Sequence, residues 1–544
     1  MPTCPVNCIH PAPGEPGFGT SEMLYIDPET CIECKACVTV CPVGAIHHED
    51  DLTDASLPFL EINTAFYREH PVDSFGAQPP EIRWPRALDG LRVAIVGSGP
   101  AGSYAAADLL RIAGVEVDVY ERLLTPEGLV RYGVAPDHQD TKSVSQVFPY
   151  QTPHPRLRVH LGVEVGVHIS HEELLQHHHA VIYAVGASSD RHLDIPGEDL
   201  AGSHSATDFV AWYNGHPDAA QLTFDLSTER AVVIGNGNVA LDVARILASD
   251  PEDLASSDIA DYALAALRES HIREVVVVGR RGPAQAAYSL PELLDLVSRP
   301  NMCVVALEDE VGQPDPETGS EVSPLEEIKL RRVREIVHNE SGPDARRITL
   351  RYFHSPVELT GTDRVTAVRL RRNELAADTS VIRPTGDETV LETGLVLRAV
   401  GYRGKAIPSL PFDNSTGTVP NEAGRVTGLS DDARGVYVTG WIKRGPRGVI
   451  GTNKQCAAET VASLVDDFAA GRLPAPSRSI AELDELLNSR NPKSLGLEAW
   501  LQIDAVEKET GRQAGRTRVK FTDPATMLGA TEAAVTHAQP KADH

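Results

Sequence analysis

Positive charge is scarce in this sequence. Its 544 residues carry 50 Lys and Arg against 77 Asp and Glu, a formal net charge of −27. That balance argues against a nucleic-acid partner, because phosphate binding needs a basic surface. Long apolar runs are missing as well. No stretch approaches the ~20 residues that cross a bilayer, so no membrane association is expected. The start, MPTCPVNC, has neither the basic n-region nor the apolar h-region of a secretory signal. Together these absences predict a cytoplasmic chain. Cysteine is rare, with eight in all and only Cys303 and Cys456 beyond residue 60. The length exceeds one core; at ~100–200 residues per domain, about three are expected.

What is present is concentrated. Cys4, Cys8, Cys31, Cys34, Cys37 and Cys41 fall in the first 41 residues. In a reducing compartment such crowding means metal or redox chemistry, not disulfides. The segment CIECKACVTVCPVGAI has the C-x2-C-x2-C-x3-C-P spacing of bacterial ferredoxins. A zinc ribbon would pair one C-x2-C with a second, distant C-x2-C, so iron–sulfur is favoured. In two-cluster ferredoxins the Cys before Pro ligates the other cluster. By that resemblance Cys31, Cys34 and Cys37, with Cys4 of CPVNC, hold one [4Fe–4S] cluster, and Cys8 is a non-ligand. Cys41 would serve a second, three-iron cluster. That cluster needs partners upstream of Cys4, where only three residues stand. Either the chain starts further upstream or this site has been lost. Residues 1–60 also hold nine acidic residues against Lys35 alone, which suits either solubility or an acidic electron-carrier surface.

Residues 61–88, with Pro71, Pro79, Pro80 and Pro85, read as a linker. Beyond them LRVAIVG, a helical stretch and VEVDVYE form a βαβ unit. Its turn, GSGPAG, places Gly97, Gly99 and Gly102 in a G-x-G-x-x-G fingerprint, and Glu121 ends the next strand 19 residues on. Glycines let backbone N–H groups approach a pyrophosphate, and the acid accepts a ribose hydroxyl. A second fingerprint, GNGNVA, has Gly235, Gly237 and Ala240. Its following strand ends in Arg280 and Arg281 instead of an acid. Guanidinium groups pair with a 2′-phosphate, so this site should prefer NADP; a surface arginine pair is the plainer reading. ITLRYFHSPVELTG and VTAVRLRRNEL read as antiparallel strands, LVLRAVGYRG and GVYVTGW as buried ones. Two dinucleotide sites beside an iron–sulfur unit call for a flavin, FAD, between a hydride carrier and a one-electron carrier.

Several long motifs occur in order: VAIVGSGPAG, TPEGLVRYGVAPDH, VIYAVGA, IPGED, VVIGNGNVALDVARIL, VVVVGRRGPAQAAYSLPEL, VGYRGKAIPSLPFD and GWIKRGPRGVIGTNK. From about residue 89 to 523 the chain resembles ferredoxin–NADP reductases of the adrenodoxin reductase family, with a bacterial ferredoxin fused in front. The resemblance implies FAD contacts at Ala101, Glu121, Leu129, Val165 and Trp441, with Gly448, Val449 and Ile450 against the flavin. It implies NADP contacts at Arg191, Asn236, Gly237, Asn238, Val239, Arg280, Arg281, Glu292 and Gly448. His138 and Asp242 would form an orienting or proton-relay pair; Asp242 as a plain helix residue remains open.

The expected fold is an α+β ferredoxin-like domain followed by an α/β flavoprotein with two dinucleotide-binding domains. The divisions are 1–60 (iron–sulfur), 89–190 and 395–490 (FAD), 191–394 (NADP) and 491–544 (a helix and a disordered tail). The expected activity is ferredoxin–NADP+ reduction, with electrons passing from NADPH through FAD to the cluster or an external ferredoxin. A small subunit of glutamate synthase is the alternative. A thioredoxin reductase would need a dithiol that Cys303 and Cys456, far apart in sequence, do not offer. His177, His178 and His179 are adjacent and point apart, so they make a poor metal site. Arg331, Arg332, Arg334, Arg369, Arg371 and Arg372 read as solvated faces; Lys443, Arg444 and Arg447 are better docking candidates for a ferredoxin.

Overall fold

The computed structural model of the chain describes residues 3–72, 82–299, 301–311, 323–339, 345–376, 381–429 and 434–538. Two sheets organise it. The first has seven strands, in the order 421–422, 425–426, 436–438, 180–183, 92–96, 116–121 and 157–161. The five from 436–438 to 157–161 run parallel. Parallel strands are covered on both faces, and this is why RVAIV is apolar almost throughout. Val93 and Ile95 face one core with Ala105, Leu109, Ala457 and Leu464. Ala94 and Val96 face another with Tyr183 and Ile442. The helices Pro100–Leu110 and Ile450–Ala469 lie on the first of these faces.

The second sheet has six parallel strands, ordered 302–306, 346–351, 274–278, 230–234, 395–398 and 203–205. This corrects the expected boundary at 394. Leu395–Arg398 pairs with Arg230–Ile234 and Ser203–Ser205, so it belongs to the second sheet, not the first. A buried apolar run satisfies either sheet, and only its partners decide. The chain passes between the sheets through an antiparallel ribbon, Ser189–Asp190 with Tyr402–Arg403. ITLR likewise joins the parallel sheet, while His354–Thr360, Ala367–Leu375 and Ile382–Glu392 form an antiparallel three-stranded layer.

The linker expected over 61–88 is partly a helix. Pro58–Glu69 buries Ile62, Ala65, Phe66 and Tyr67, a helical spacing masked in the sequence by the prolines that follow. Residues 73–81 lie outside the described residues. Tyr67 donates its hydroxyl to the carbonyls of Cys8 (3.0 Å) and Tyr25 (2.8 Å), and Phe66 stacks on Tyr25 at 3.9 Å. The helix is therefore part of the cysteine-rich unit, with the short strands Ile9–His10 and Tyr25–Ile26.

The C-terminal segment also departs from expectation. Leu497–Gln513 is the helix expected there, but Pro524–Ala538, within the stretch read as disordered, is helical too. Asp523 accepts from Thr526 N (2.8 Å) at the start of the latter, and Met527 is buried in the first core. Residues 539–544 of that expected tail lie outside the described residues. Glu507 pairs with Arg131 at 2.5 Å and Arg518 at 3.0 Å. Lys520 reaches Asp258 at 2.9 Å. Arg131 stands 376 positions from Glu507, and Asp258 lies hundreds of residues from Lys520, so these two pairs were invisible locally; Arg518 is only 11 positions from Glu507. Among the described residues no helix is long and apolar enough to cross a membrane.

Candidate functional site

At the cysteine run, Ala36–Val40 is a short helix entered through Lys35 at φ 57. The Cys4 and Cys8 sulfurs are 3.3 Å apart. Burial pushes the Cys8 thiol well up, reinforced by Cys4 and Cys31 beside it. Cys4 behaves oppositely: burial opposes ionisation, but hydrogen bonds from the Cys8 backbone and side chain outweigh it and hold the thiol below its usual value. Among the described residues, no three of these sulfurs come within 4.8 Å of one another. Thiols at the C-x2-C-x2-C spacing, with a fourth from Cys4, are the donor chemistry that a cubane takes. Cys41 accepts from Ala45 N at 3.3 Å, and the next carbonyl, Pro42 O, accepts from Ser143 of the flavoprotein at 3.0 Å.

The first fingerprint is formed as its glycines require. Gly97 has φ +101, and a Cβ there would meet Ala184 O at 2.6 Å; one at Gly102 would meet Gly97 O at 2.0 Å. Gly99, which precedes the helix Pro100–Leu110, provides no side-chain cap. Its N–H groups are thus left for an anion. Glu121 accepts from Ser98 N (3.1 Å), Ser98 Oγ (2.7 Å) and Leu123 N (3.0 Å), which holds its carboxylate beside that turn. Gly128 backs on Gly99, with Leu129 next to it and 38% exposed, and Ala101 backs on Gly440. Trp441 follows, 5.4 Å from the Tyr402 ring, with its buried indole Nε1 unpartnered. Gly448, at φ +79, and Val449 lead into Ile450–Ala469. Val165 stands elsewhere, packed with Val163 and Ile169 on the opposite face of the sheet.

The second fingerprint repeats the arrangement. A Cβ at Gly235 would meet Ala399 O at 2.2 Å, whereas Gly237 has open space. Asn238–Ala248 starts without a side-chain cap, although three other helices carry full Ser–Glu capping boxes at Ser170, Ser323 and Ser479. Asn238 bonds Ser289 at 2.7 Å through the Ser289 N–H; Ala287 N donates to Asn236 Oδ1 at 3.5 Å. Asn236 Nδ2 is buried and unpartnered. Arg280 and Arg281 follow the strand Glu274–Val278, as expected. Arg191 is exposed next to the connecting ribbon, its N–H on Gly401 O. Both cradles fit dinucleotides.

Between them lies a charged cluster. His138 Nδ1 is 4.0 Å from Asp242 and Nε2 is 3.8 Å from Asp295. His138, Asp242 and Glu292 come within 4.8 Å of one another. Burial works against a charged ring, but Asp295, Asp242 and Asp137 outweigh burial and Arg245, so the His138 pKa is raised. Burial and then Asp242 also raise Glu292. The sequence reading missed Arg245. Fully buried, it forks onto Asp137 (2.8 and 3.0 Å) and reaches Asp242 at 2.7 Å, with Glu292 at 4.0 Å. The i, i+3 spacing from Asp242 was its one visible signal.

Other features settle into the scaffold. His178 bonds buried Asp118 at 3.1 Å, His177 bonds Ser479 O at 2.8 Å, and His179 accepts from Arg92 N at 3.1 Å, three different directions. Arg369, Arg371 and Arg372 pair with Glu358, Glu388 and Asp309. Arg331 pairs with Glu61 of the cysteine-rich unit itself and Arg332 with Glu335. Of the docking candidates, Lys443 reaches Glu459 and Arg444 reaches Asn453.

Residues 91–276 match the family model for pyridine nucleotide-disulphide oxidoreductases, and residues 24–47 match that for 4Fe-4S binding domains. A probable ferredoxin/ferredoxin–NADP reductase of Mycobacterium tuberculosis is 48% identical over 98% of this chain and 92% of its own length. The mitochondrial NADPH:adrenodoxin oxidoreductase of Arabidopsis thaliana is 40% identical over 81% of this chain and 95% of its own. Among solved structures, FprA from Mycobacterium tuberculosis in complex with NADPH aligns with a TM-score of 0.77 and 45% identity, over 81% of this chain and 99% of that one. Fold, cradles and relatives agree: the chain belongs to the ferredoxin–NADP reductases, in the form that carries a ferredoxin-like 4Fe–4S unit fused in front of the flavoprotein.

Proposed function

We propose that the chain catalyses electron transfer between NADPH and a ferredoxin, with its own iron–sulfur unit as the internal relay to an external ferredoxin or similar one-electron acceptor. The observation that carries the reading is the presence of two uncapped fingerprint helices on separate sheets, joined to a cysteine set spaced for a cubane. When bound, FAD and the cluster supply the conversion of a two-electron hydride donor into single electrons.

The chain's residues bind, orient and exclude water. Gly97, Gly99 and Gly102 open the backbone to a pyrophosphate, and Glu121 offers its carboxylate to a ribose. Ala101, Leu129, Trp441, Gly448, Val449 and Ile450 supply walls around the FAD; Val165, on the far face, is the weakest member of that set. Asn236 to Val239 take the pyrophosphate of NADPH, Arg280 and Arg281 its 2′-phosphate, and Arg191, Glu292 and Gly448 flank it. His138 retains a proton above the ordinary imidazole range and can hold it at Nδ1 towards Asp242 or at Nε2 towards Asp295. Hydride transfer depends chiefly on positioning, so the His138–Asp242 pair orients and moves protons instead of driving the chemistry. Cys4, Cys31, Cys34 and Cys37 hold the cluster.

The test compares two acceptors in a Cys34→Ser variant purified with its flavin. NADPH oxidation by ferricyanide, which can draw on the flavin directly, should stay near the wild-type rate. Reduction of an added ferredoxin should fall by at least about tenfold. Equal ferredoxin reduction in variant and wild type would remove the cluster from the route.

A further inference from the structure

Besides the Glu61–Arg331 pair, the cysteine-rich unit reaches the nucleotide side of the flavoprotein through a second acidic residue, Glu22. Its Oε2 accepts from Leu290 N at 2.8 Å, and its Oε1 accepts from Lys329 Nζ at 3.1 Å. Leu290 opens the nine-residue helix Leu290–Ser298, which carries Glu292 and Asp295 of the His138 cluster. Lys329, on the helix Pro324–Glu335, is almost fully buried. Its ammonium also donates to Tyr288 O at 3.0 Å and Ala286 O at 3.4 Å, and it lies 5.5 Å over the Tyr288 ring.

Residues 286–290 are therefore held from two sides. On one side stand Asn236 and Asn238 of the second fingerprint, bonded to Ala287 and Ser289. On the other stand Glu22 and Lys329. A cavity of about 430 Å³, lined by Phe66, Leu290, Pro291, Leu325 and Lys329, lies beside the contact. Around the cavity the unit packs on this face through Tyr25, Ile62 and Phe66, which share a core with Leu290 and Ile328; the ion pair and the helix-end bond add the polar contacts that reach residues 286–290. Without Glu22, a buried ammonium would keep two neutral carbonyls and the Tyr288 ring but no counter-charge in ion-pair contact among the described residues. It would turn to water and release them.

We infer that Glu22 of the iron–sulfur unit is a positioning residue for the pyridine-nucleotide site: through Leu290 and Lys329 it holds the 286–290 loop in the shape that binds NADP(H). The inference rests on the assignment of the second fingerprint to NADP given above. By reciprocity, a nucleotide that orders the loop also strengthens docking of the iron–sulfur unit. The electron-accepting unit thus helps build the site of the electron donor.

The test uses the full-length holoenzyme with Glu22→Gln, and reads NADP+ affinity by equilibrium dialysis and NADPH kinetics with ferricyanide. The NADP+ Kd and the NADPH KM should rise about fivefold or more. The kcat should change less than about twofold, and flavin and iron content should not change. Glu22→Asp should recover part of the affinity, and a Glu22→Gln/Lys329→Met double variant should be little worse than either single one. Arg281→Ala is the control for the nucleotide-site assignment. If Arg281→Ala weakens NADP+ while Glu22→Gln does not, the inference on Glu22 fails alone. If neither weakens it, the nucleotide-site assignment fails. Should Glu22→Gln lose iron, Lys329→Met, which lies outside the iron–sulfur unit, is read in its place, and an unchanged NADP+ Kd there overturns the inference.

Discussion

Replacing Arg245 with methionine tests how the cleft cluster works. The side chain is fully buried and supplies three short bonds, two to Asp137 and one to Asp242. Removing one partner of a buried ionic group costs about 3–5 kcal/mol, because the abandoned charges remain in place. Here Asp137 and Asp242 are only 12% and 16% exposed. Arg245 also opposes protonation of both His138 and Glu292, so its loss should raise both further. A raised histidine pKa stabilises the fold below the unfolded value, about 6.5, and that contribution fades as pH climbs through the folded value. In the variant this window extends to higher pH. The loss of stability should therefore be smaller at about pH 6 than at about pH 8.5, and the bend in kcat/KM attributed to His138 should move to higher pH. Thermal melts at both pH values and a pH profile of NADPH oxidation read this directly. Equal destabilisation at both, with an unmoved profile, would reduce Arg245 to a cross-link between helices.

Three further outcomes follow from the same geometry. Gly97→Ala places a Cβ 2.6 Å from Ala184 O at a φ of +101, so the protein should purify with flavin well below stoichiometry; full flavin loading contradicts the cradle. Burial raises the Asp108 carboxyl to about 6, a burden that grows as pH rises from the unfolded value and is complete above the folded one. Asp108→Asn should then raise the melting temperature at about pH 7.5, by no more than the equivalent of about 3 kcal/mol, and barely change it near pH 4. Glu507→Ala strands Arg131 and Arg518 and should cost about 3–5 kcal/mol, with faster proteolysis of the C-terminal helices; an unchanged melt would separate those helices from the flavoprotein core.

The glycine turns and the cysteine run were legible because their chemistry is local. Gly97, Gly99 and Gly102 act within six residues, and Cys31, Cys34 and Cys37 within seven. Arg245 and Glu507 were not legible, since their partners arrive from 108 and 376 positions away. Asp118 is similar: an acid inside the apolar strand VEVDVYE makes sense beside Arg158, His160 and His178. Leu395–Arg398 had the right pattern for a buried strand but no local mark of which sheet it joins. Val165 followed the family resemblance, and the fold puts it on the face away from the fingerprint helix.

The measurement that bears most directly on the account is anaerobic EPR of the purified holoenzyme before and after a slight excess of NADPH. The account predicts a reduced-cubane signal after NADPH, showing that electrons cross from the nucleotide site into the cluster of Cys4, Cys31, Cys34 and Cys37. Bleaching of the flavin with no cluster signal, in protein whose cluster dithionite does reduce, would contradict the internal relay.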